Sequence, residues 1–226
     1  MFTLSEVVPW GRSFDEYRRM FALTDQDLKG MILGCGDGPA SFNAEGSRRG
    51  FTIVSCDPLY RFDGAAIRTR IDATYEQVME QTRQNMSEFV CTAIPSIDAL
   101  GHLRTQAMQT FLSDYDAGKV QRRYIDAELP QLPFGTAAFD LALCSQLLFV
   151  YSTQLTSDFH CASLDELCRV ADEVRVFPLL ELGGLPSPRM EPVRAHLVSR
   201  GFKVSIETVD YEFRRGFNQM MRLLQR

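Results

Sequence analysis

Long apolar runs are missing from this chain. No stretch of its 226 residues approaches the ~20 apolar residues that a membrane-spanning helix needs. The N-terminus, MFTLSEVVPWGRSF, lacks a basic segment followed by an apolar one, so no secretory leader is expected and a cytoplasmic location is. There is no basic excess either. A formal net charge of -5 argues against a nucleic-acid-binding surface. Histidine is scarce, with His102, His160 and His196 the only three, and Trp10 is the only tryptophan. The six cysteines (35, 56, 91, 144, 161, 168) have no paired metal spacing, so no metal site is expected. They read as reduced, mostly buried thiols. No internal repeat or low-complexity segment is present. With 45% hydrophobic and 23% charged residues, the chain has the composition of a globular protein. Its length fits a single domain, 1–226, with room for a sizeable insertion.

What is present starts at residues 31–39, MILGCGDGP, answered by residues 54–58, VSCDP. A short apolar run ends in closely spaced glycines, and about 20 residues later a second apolar run ends in a carboxylate. This is the layout of a nucleotide-type ligand site at the first two strands of a parallel α/β sheet. Glycines let the backbone turn tightly and approach a ligand. An acidic residue at the tip of the next strand can accept hydrogen bonds from both hydroxyls of a ribose. The glycines stand at 34, 36 and 38, whereas a dinucleotide loop places its third glycine at the position occupied by Pro39. A pyrophosphate rests on free N–H groups at a helix start, and Pro39 removes one of them. A ligand without a phosphate suits the loop better.

The rest of the chain alternates between helix and strand signals. Residues 12–28 predict a helix capped by Ser13, 30–34 a buried strand, 38–49 a helix ended by Gly50, and 51–56 a second strand. From 64 to 118 the pattern is helical, with Ile67, Ile71, Tyr75, Val78, Met79, Thr82 and Met86 along one face. This is longer than a plain crossover needs, and predicts a helical cap inserted between strands two and three. Strands are expected near 123–125, at 139–144 and at 174–180. Helices are expected around Leu164–Val170 and at 190–200, and two strands at about 203–213 and 219–225 close the chain. The predicted fold class is α/β: a Rossmann-like, mostly parallel seven-stranded sheet with an antiparallel last strand, plus the inserted helical cap.

Several of these segments, in this order, resemble the class I S-adenosylmethionine-dependent methyltransferases. ILGCGDG is similar to the first motif of that family and Asp57 to the acidic residue after its second strand. LPQLPFGTAAFDLALCSQLLF is similar to its "LPF…FD" segment, RVADEVRVFPLL to its fifth strand, and the terminal hairpin to its antiparallel last strand. The resemblance covers most of residues 30–226 and leaves the helical insertion unexplained.

The resemblance implies S-adenosylmethionine as cofactor and methyl transfer to a small-molecule acceptor. Gly34, Cys35 and Gly36 would line the methionine part of the cofactor. Asp57 would bind the ribose, with Pro58 and Leu59 near the adenine. Glu128 and Leu129 would sit at the adenine edge, with Asp126-Ala127 in a competing register. Ser145 and Gln146 would face the cofactor and the acceptor. Arg12 would pair with the cofactor carboxylate and Trp10 would close the pocket, the alternative being an exposed arginine beside a hydrophobic staple. Tyr60 and Tyr151 are candidate acceptor-pocket residues, with packing as the alternative.

Methyl transfer from a sulfonium needs in-line positioning, and a base only when the acceptor must lose a proton. No catalytic residue is assigned. His102 and His160 are candidate bases or simply surface or capping groups, His196 reads as structural, and Glu181 could meet a cationic substrate. The insertion is the expected source of acceptor specificity, or else a homodimer interface. Another transfer from the same cofactor, a non-catalytic sensor and an NAD-dependent oxidoreductase are the competing functions.

Overall fold

The computed structural model describes residues 8–90, 94 and 96–225. Seven strands form one sheet: β1 (Met31–Cys35), β2 (Thr52–Cys56), β3 (Tyr124–Ile125), β4 (Phe139–Ser145), β5 (Ala171–Phe177), β6 (Lys203–Thr208) and β7 (Gln219–Leu224). Their order is β3-β2-β1-β4-β5-β7-β6. The first five run parallel, and β7 is antiparallel to both β5 and β6. The sheet is the one expected from the sequence.

Strand alternation builds a core on each face. Leu33 and Cys35 of β1, Ala142 and Cys144 of β4, and Val174 and Val176 of β5 join one cluster, with Leu164 and Leu167 of α5 (Ser157–Val170) and Val193 and Leu197 of α6 (Met190–Ser199). Ile32, Leu141, Leu143 and Phe177 point the other way. They meet Phe14, Tyr17 and Met20 of α1 (Phe14–Met20) and Phe42 of α2 (Phe42–Arg48). Cys35, Cys56 and Cys144 are register neighbours across three strands and are buried as free thiols. Cys91 lies outside the described residues.

Between β2 and β3 run two long helices, α3 (Gly64–Gln84) and α4 (Ile97–Val120). Asp63 and Ser96 cap them, each side chain accepting from the backbone three residues on. Helix α4 packs on α2 and β3 as a crossover helix does, while α3 packs on α4. Ile67 and Ile71 of α3 meet Met108, Phe111 and Tyr115 of α4 in a third cluster that also holds Tyr60 and Tyr124. A buried ion pair ties α4 to α1. Arg104 grips both oxygens of Glu16, at 2.5 and 2.6 Å, and the Tyr211 hydroxyl donates to the same carboxylate at 2.9 Å.

Some element boundaries differ from the sequence reading. The first helix stops at Met20 instead of continuing to 28, because Ala22 turns left-handed (φ 47°) and a short 3-10 turn, Asp27–Lys29, follows. Helix α2 starts at Phe42 because Gly36 and Gly38 have positive φ and Pro39 follows them. The strand expected at 174–180 begins at Ala171, directly after α5, and β6 stops at Thr208.

Candidate active site

The carboxyl ends of β1, β2 and β4 open onto a cavity of about 640 Å³, within the ~300–1,000 Å³ typical of small-molecule sites. The turn after β1 forms its floor. Gly36 and Gly38 both adopt left-handed backbone, at φ 72° and 51°, which other residues reach only with strain. The Gly36 N–H donates to the Cys56 carbonyl at 3.0 Å, closing the turn onto β2.

Asp57, at the tip of β2, holds this turn in place. Its Oδ2 accepts from Gly38 N and its Oδ1 from Leu59 N, both at 2.8 Å. Burial pushes its carboxyl above the usual range, against the pull of those two N–H donors. Each oxygen keeps a lone pair beyond its backbone bond. Tyr60 points away from the cavity into the third cluster, and its hydroxyl donates to the Gly38 carbonyl at 2.7 Å.

A second carboxylate lies in the turn. Asp37 folds back over β1, accepting from Tyr17 Oη at 2.7 Å and Ser55 Oγ at 2.6 Å. Burial is the main cause that raises its carboxyl to about 7, and the nearby Asp57 adds to it. Gly34 is what allows this fold-back: a Cβ there would lie 2.0 Å from Asp37 Oδ2. Sequence reasoning gave Asp37 no role. Its place between two glycines carried no apolar or helical periodicity to reveal burial.

Arg12 borders the cavity from the segment before α1. It donates to the Trp10 carbonyl at 2.7 Å, while its Nε is shielded from water and bonds nothing. Burial and the neighbouring Arg104 lower its pKa, against the pull of the Glu16 carboxylate. At the far wall, Ser145 ends β4. Gln146 follows in left-handed backbone (φ 54°), held by its N–H to the Phe177 carbonyl at 2.8 Å.

Of the residues singled out from sequence, the cavity wall contains Arg12, Gly36, Asp57, Pro58, Leu59, Ser145, Gln146 and Tyr151, with Trp10 beside them. Gly34, Cys35, Tyr60, Glu128 and Leu129 stand outside it. Leu129 is in the core below α5 and Glu128 is exposed. No histidine reaches the cavity. His102 is exposed, His160 is fixed between the Thr156 and Leu148 carbonyls, and His196 pairs with Asp165.

No protein-family model matches the chain. A curated relative does: the uncharacterized protein MJ0045 of Methanocaldococcus jannaschii is 31% identical over 220 residues, covering 96% of each chain. The chain belongs to the MJ0045 family. Among solved structures, TrmN from Thermus thermophilus aligns with a TM-score of 0.50 at 13% identity, over 92% of this chain and 48% of that one. Magnesium protoporphyrin IX methyltransferase (ChlM) from Synechocystis PCC 6803, with bound SAH, aligns at 0.47 and 12% identity over 94% of each chain. Identities this low speak to fold alone. The strand order with its antiparallel β7 gives this MJ0045-family chain the Rossmann-like fold of the class I methyltransferases. Among the described residues no helix is long and apolar enough to cross a membrane.

Proposed function

We propose that this protein binds S-adenosylmethionine and transfers its methyl group to a small-molecule acceptor. The observation that carries the reading is the pairing of Asp57 with the glycine turn at one end of a largely apolar cavity. The residues present fit the cofactor. Asp57 offers lone pairs to a diol, Pro58 and Leu59 offer an apolar face to a purine, and the buried Arg12 Nε offers an unmet donor to a carboxylate. Gly34 and Cys35 contribute through the backbone of β1 that sets the turn, and Ser145 belongs to the cavity wall. Glu128 and Leu129 have no place in the cavity wall, so the adenine edge falls to Pro58 and Leu59.

When bound, the cofactor supplies an already activated methyl group. The chain supplies position and dryness. Trp10, α3 and α4 enclose the cavity, which fits a lid that excludes water. The insertion 64–118 then divides into a crossover helix, α4, and a covering helix, α3. Net charge -5 favours a small acceptor over a nucleic acid.

Calorimetry tests the reading. S-adenosylmethionine should bind and NAD should not, and Asp57→Ala should weaken binding about tenfold or more, the worth of hydrogen bonds to a charged group. Binding of NAD without S-adenosylmethionine would overturn it. Release of S-adenosylhomocysteine with an acceptor separates transfer from sensing.

A further inference from the structure

The wall opposite the glycine turn is not needed by the cofactor. It is built by Val78, Phe89, Val150, Leu182, Phe213 and Phe217, which come from five separate parts of the chain. Backbone hydrogen bonds lace these parts together: Val90 N to the Phe213 carbonyl at 2.9 Å, Arg215 N to the Glu88 carbonyl at 2.9 Å, and Leu182 N to the Val150 carbonyl at 3.0 Å. The Phe89 and Phe213 rings meet at 4.8 Å. Protein interiors are close-packed, so an apolar chamber held open by such lacing is shaped for an apolar occupant.

Charge narrows the occupant. The described residues of the cavity wall carry four arginines, Arg12, Arg61, Arg70 and Arg214, and two carboxylates, Asp37 and Asp57. Both carboxylates lie at the glycine turn and already accept hydrogen bonds. A cationic amine in the apolar chamber would lose its hydration and meet more arginines than carboxylates. Among the polar residues of the cavity wall are Gln146 and Tyr151. Gln146 uses its Nε2 on Met20 Sδ at 3.8 Å, which leaves its carbonyl oxygen for a ligand.

Resting on the methyl-transfer reading, we infer that the acceptor is an uncharged aromatic molecule bearing an acidic X–H group, a phenolic hydroxyl or an aromatic thiol. Its ring fills the chamber and its X–H meets Gln146 and Tyr151. The wall holds no histidine, and Asp37 is engaged by Tyr17 and Ser55, so an acceptor that loses its own proton readily suits it best, and phenols and thiols do so more readily than alcohols or amides. In the step, the acceptor oxygen or sulfur forms the bond to the methyl carbon. The methyl–sulfonium bond breaks with its electron pair remaining on sulfur, and the proton leaves to solvent.

The test compares 2-naphthol with 2-naphthylmethylamine, which is cationic at pH 7, by ligand-observed NMR with and without S-adenosylhomocysteine. Naphthol should bind about tenfold or more tightly than the amine. Leu182→Arg and, as a second variant on another segment, Phe213→Arg should each weaken naphthol about tenfold, while S-adenosylhomocysteine affinity changes less than about twofold. Equal binding of phenol and amine, or full naphthol binding in both folded variants, overturns the inference. If S-adenosylhomocysteine binds and naphthol does not, the acceptor class fails and methyl transfer stands. If naphthol binds and S-adenosylhomocysteine does not, the methyl-transfer reading fails.

Discussion

Asp37→Asn isolates a buried carboxyl whose ionisation is moved close to neutral pH. The Asp37 carboxyl is raised to about 7, chiefly by burial, from an unfolded value near 3.9. Between about pH 4 and 7 the native state therefore holds a proton that the unfolded state has lost. Stability falls as pH rises wherever the native state binds the extra proton. The sign follows: this group contributes its full stability below about pH 4 and loses it as pH climbs through 7. At about 1.36 kcal/mol per unit, the loss is about 4 kcal/mol. Asparagine does not titrate; its one carbonyl oxygen accepts from Tyr17 or Ser55, and its NH2 donates to the oxygen of the other hydroxyl. The difference in unfolding free energy between variant and parent should therefore move by a few kcal/mol in favour of asparagine from pH 4.5 to 8. Groups that titrate alike in both proteins, such as Glu16, cancel in that difference. Urea unfolding followed by circular dichroism at several pH values measures it. Parallel curves for the two proteins, with no pH dependence in their difference, would refute the buried, proton-holding carboxylate.

Two further substitutions probe what holds the site. Arg104→Ala leaves the Glu16 carboxylate buried with Tyr211 and Ser13 as its remaining partners. That should cost roughly 3–5 kcal/mol and lower Tm by roughly 6–20 °C for a domain of this size. A fall of less than about 2 °C in calorimetry would mean that the pair does not anchor α1 to α4. Gly34→Ala places a methyl 2.0 Å from Asp37 Oδ2, so it should destabilise by about 2 kcal/mol or more as the Tyr17 and Ser55 bonds break. In an Asp37→Ala background the same change should cost about half as much or less, because the clashing atom is gone. Additive costs in that double-mutant cycle would contradict the geometry.

The sheet was legible in the sequence because parallel strands are buried on both faces and appear as short apolar runs: MILGC, TIVSC, FDLALC and EVRVF. The glycine turn and Asp57 were legible because their chemistry depends on local spacing. Boundaries set by single backbone torsions were not. Nothing in the composition around Ala22 announces a left-handed residue, so the first helix was read several residues too long. Asp37 was hidden for a related reason. A carboxylate between two glycines looks solvated in sequence, and only the fold-back over Gly34 removes it from water. Glu16 stands in a first helical turn, where acids are common, and nothing in its neighbours marks it as buried. Its burial depends on Arg104, which lies 88 residues away.

The two ends of the cavity also differ in how the chain encodes them. The glycine-turn end draws on residues 36–38 and 57–59, near neighbours across β1 and β2 whose spacing is fixed by one strand–helix–strand unit. Asp57 cannot be moved there without freeing the Gly38 N–H, so the residue proposed to bind the ribose also sets the turn geometry. The apolar end draws on residues 78, 89, 150, 182, 213 and 217, which come from five separate parts of the chain. The lacing of Val90 to Phe213, of Arg215 to Glu88 and of Leu182 to Val150 brings most of them together. These positions can change singly, since each adds only part of an apolar wall and none holds the sheet in register. On the proposed reading, a chain built this way can keep its cofactor while the shape of its acceptor chamber changes, so the acceptor is sought from that wall and not from the glycine turn.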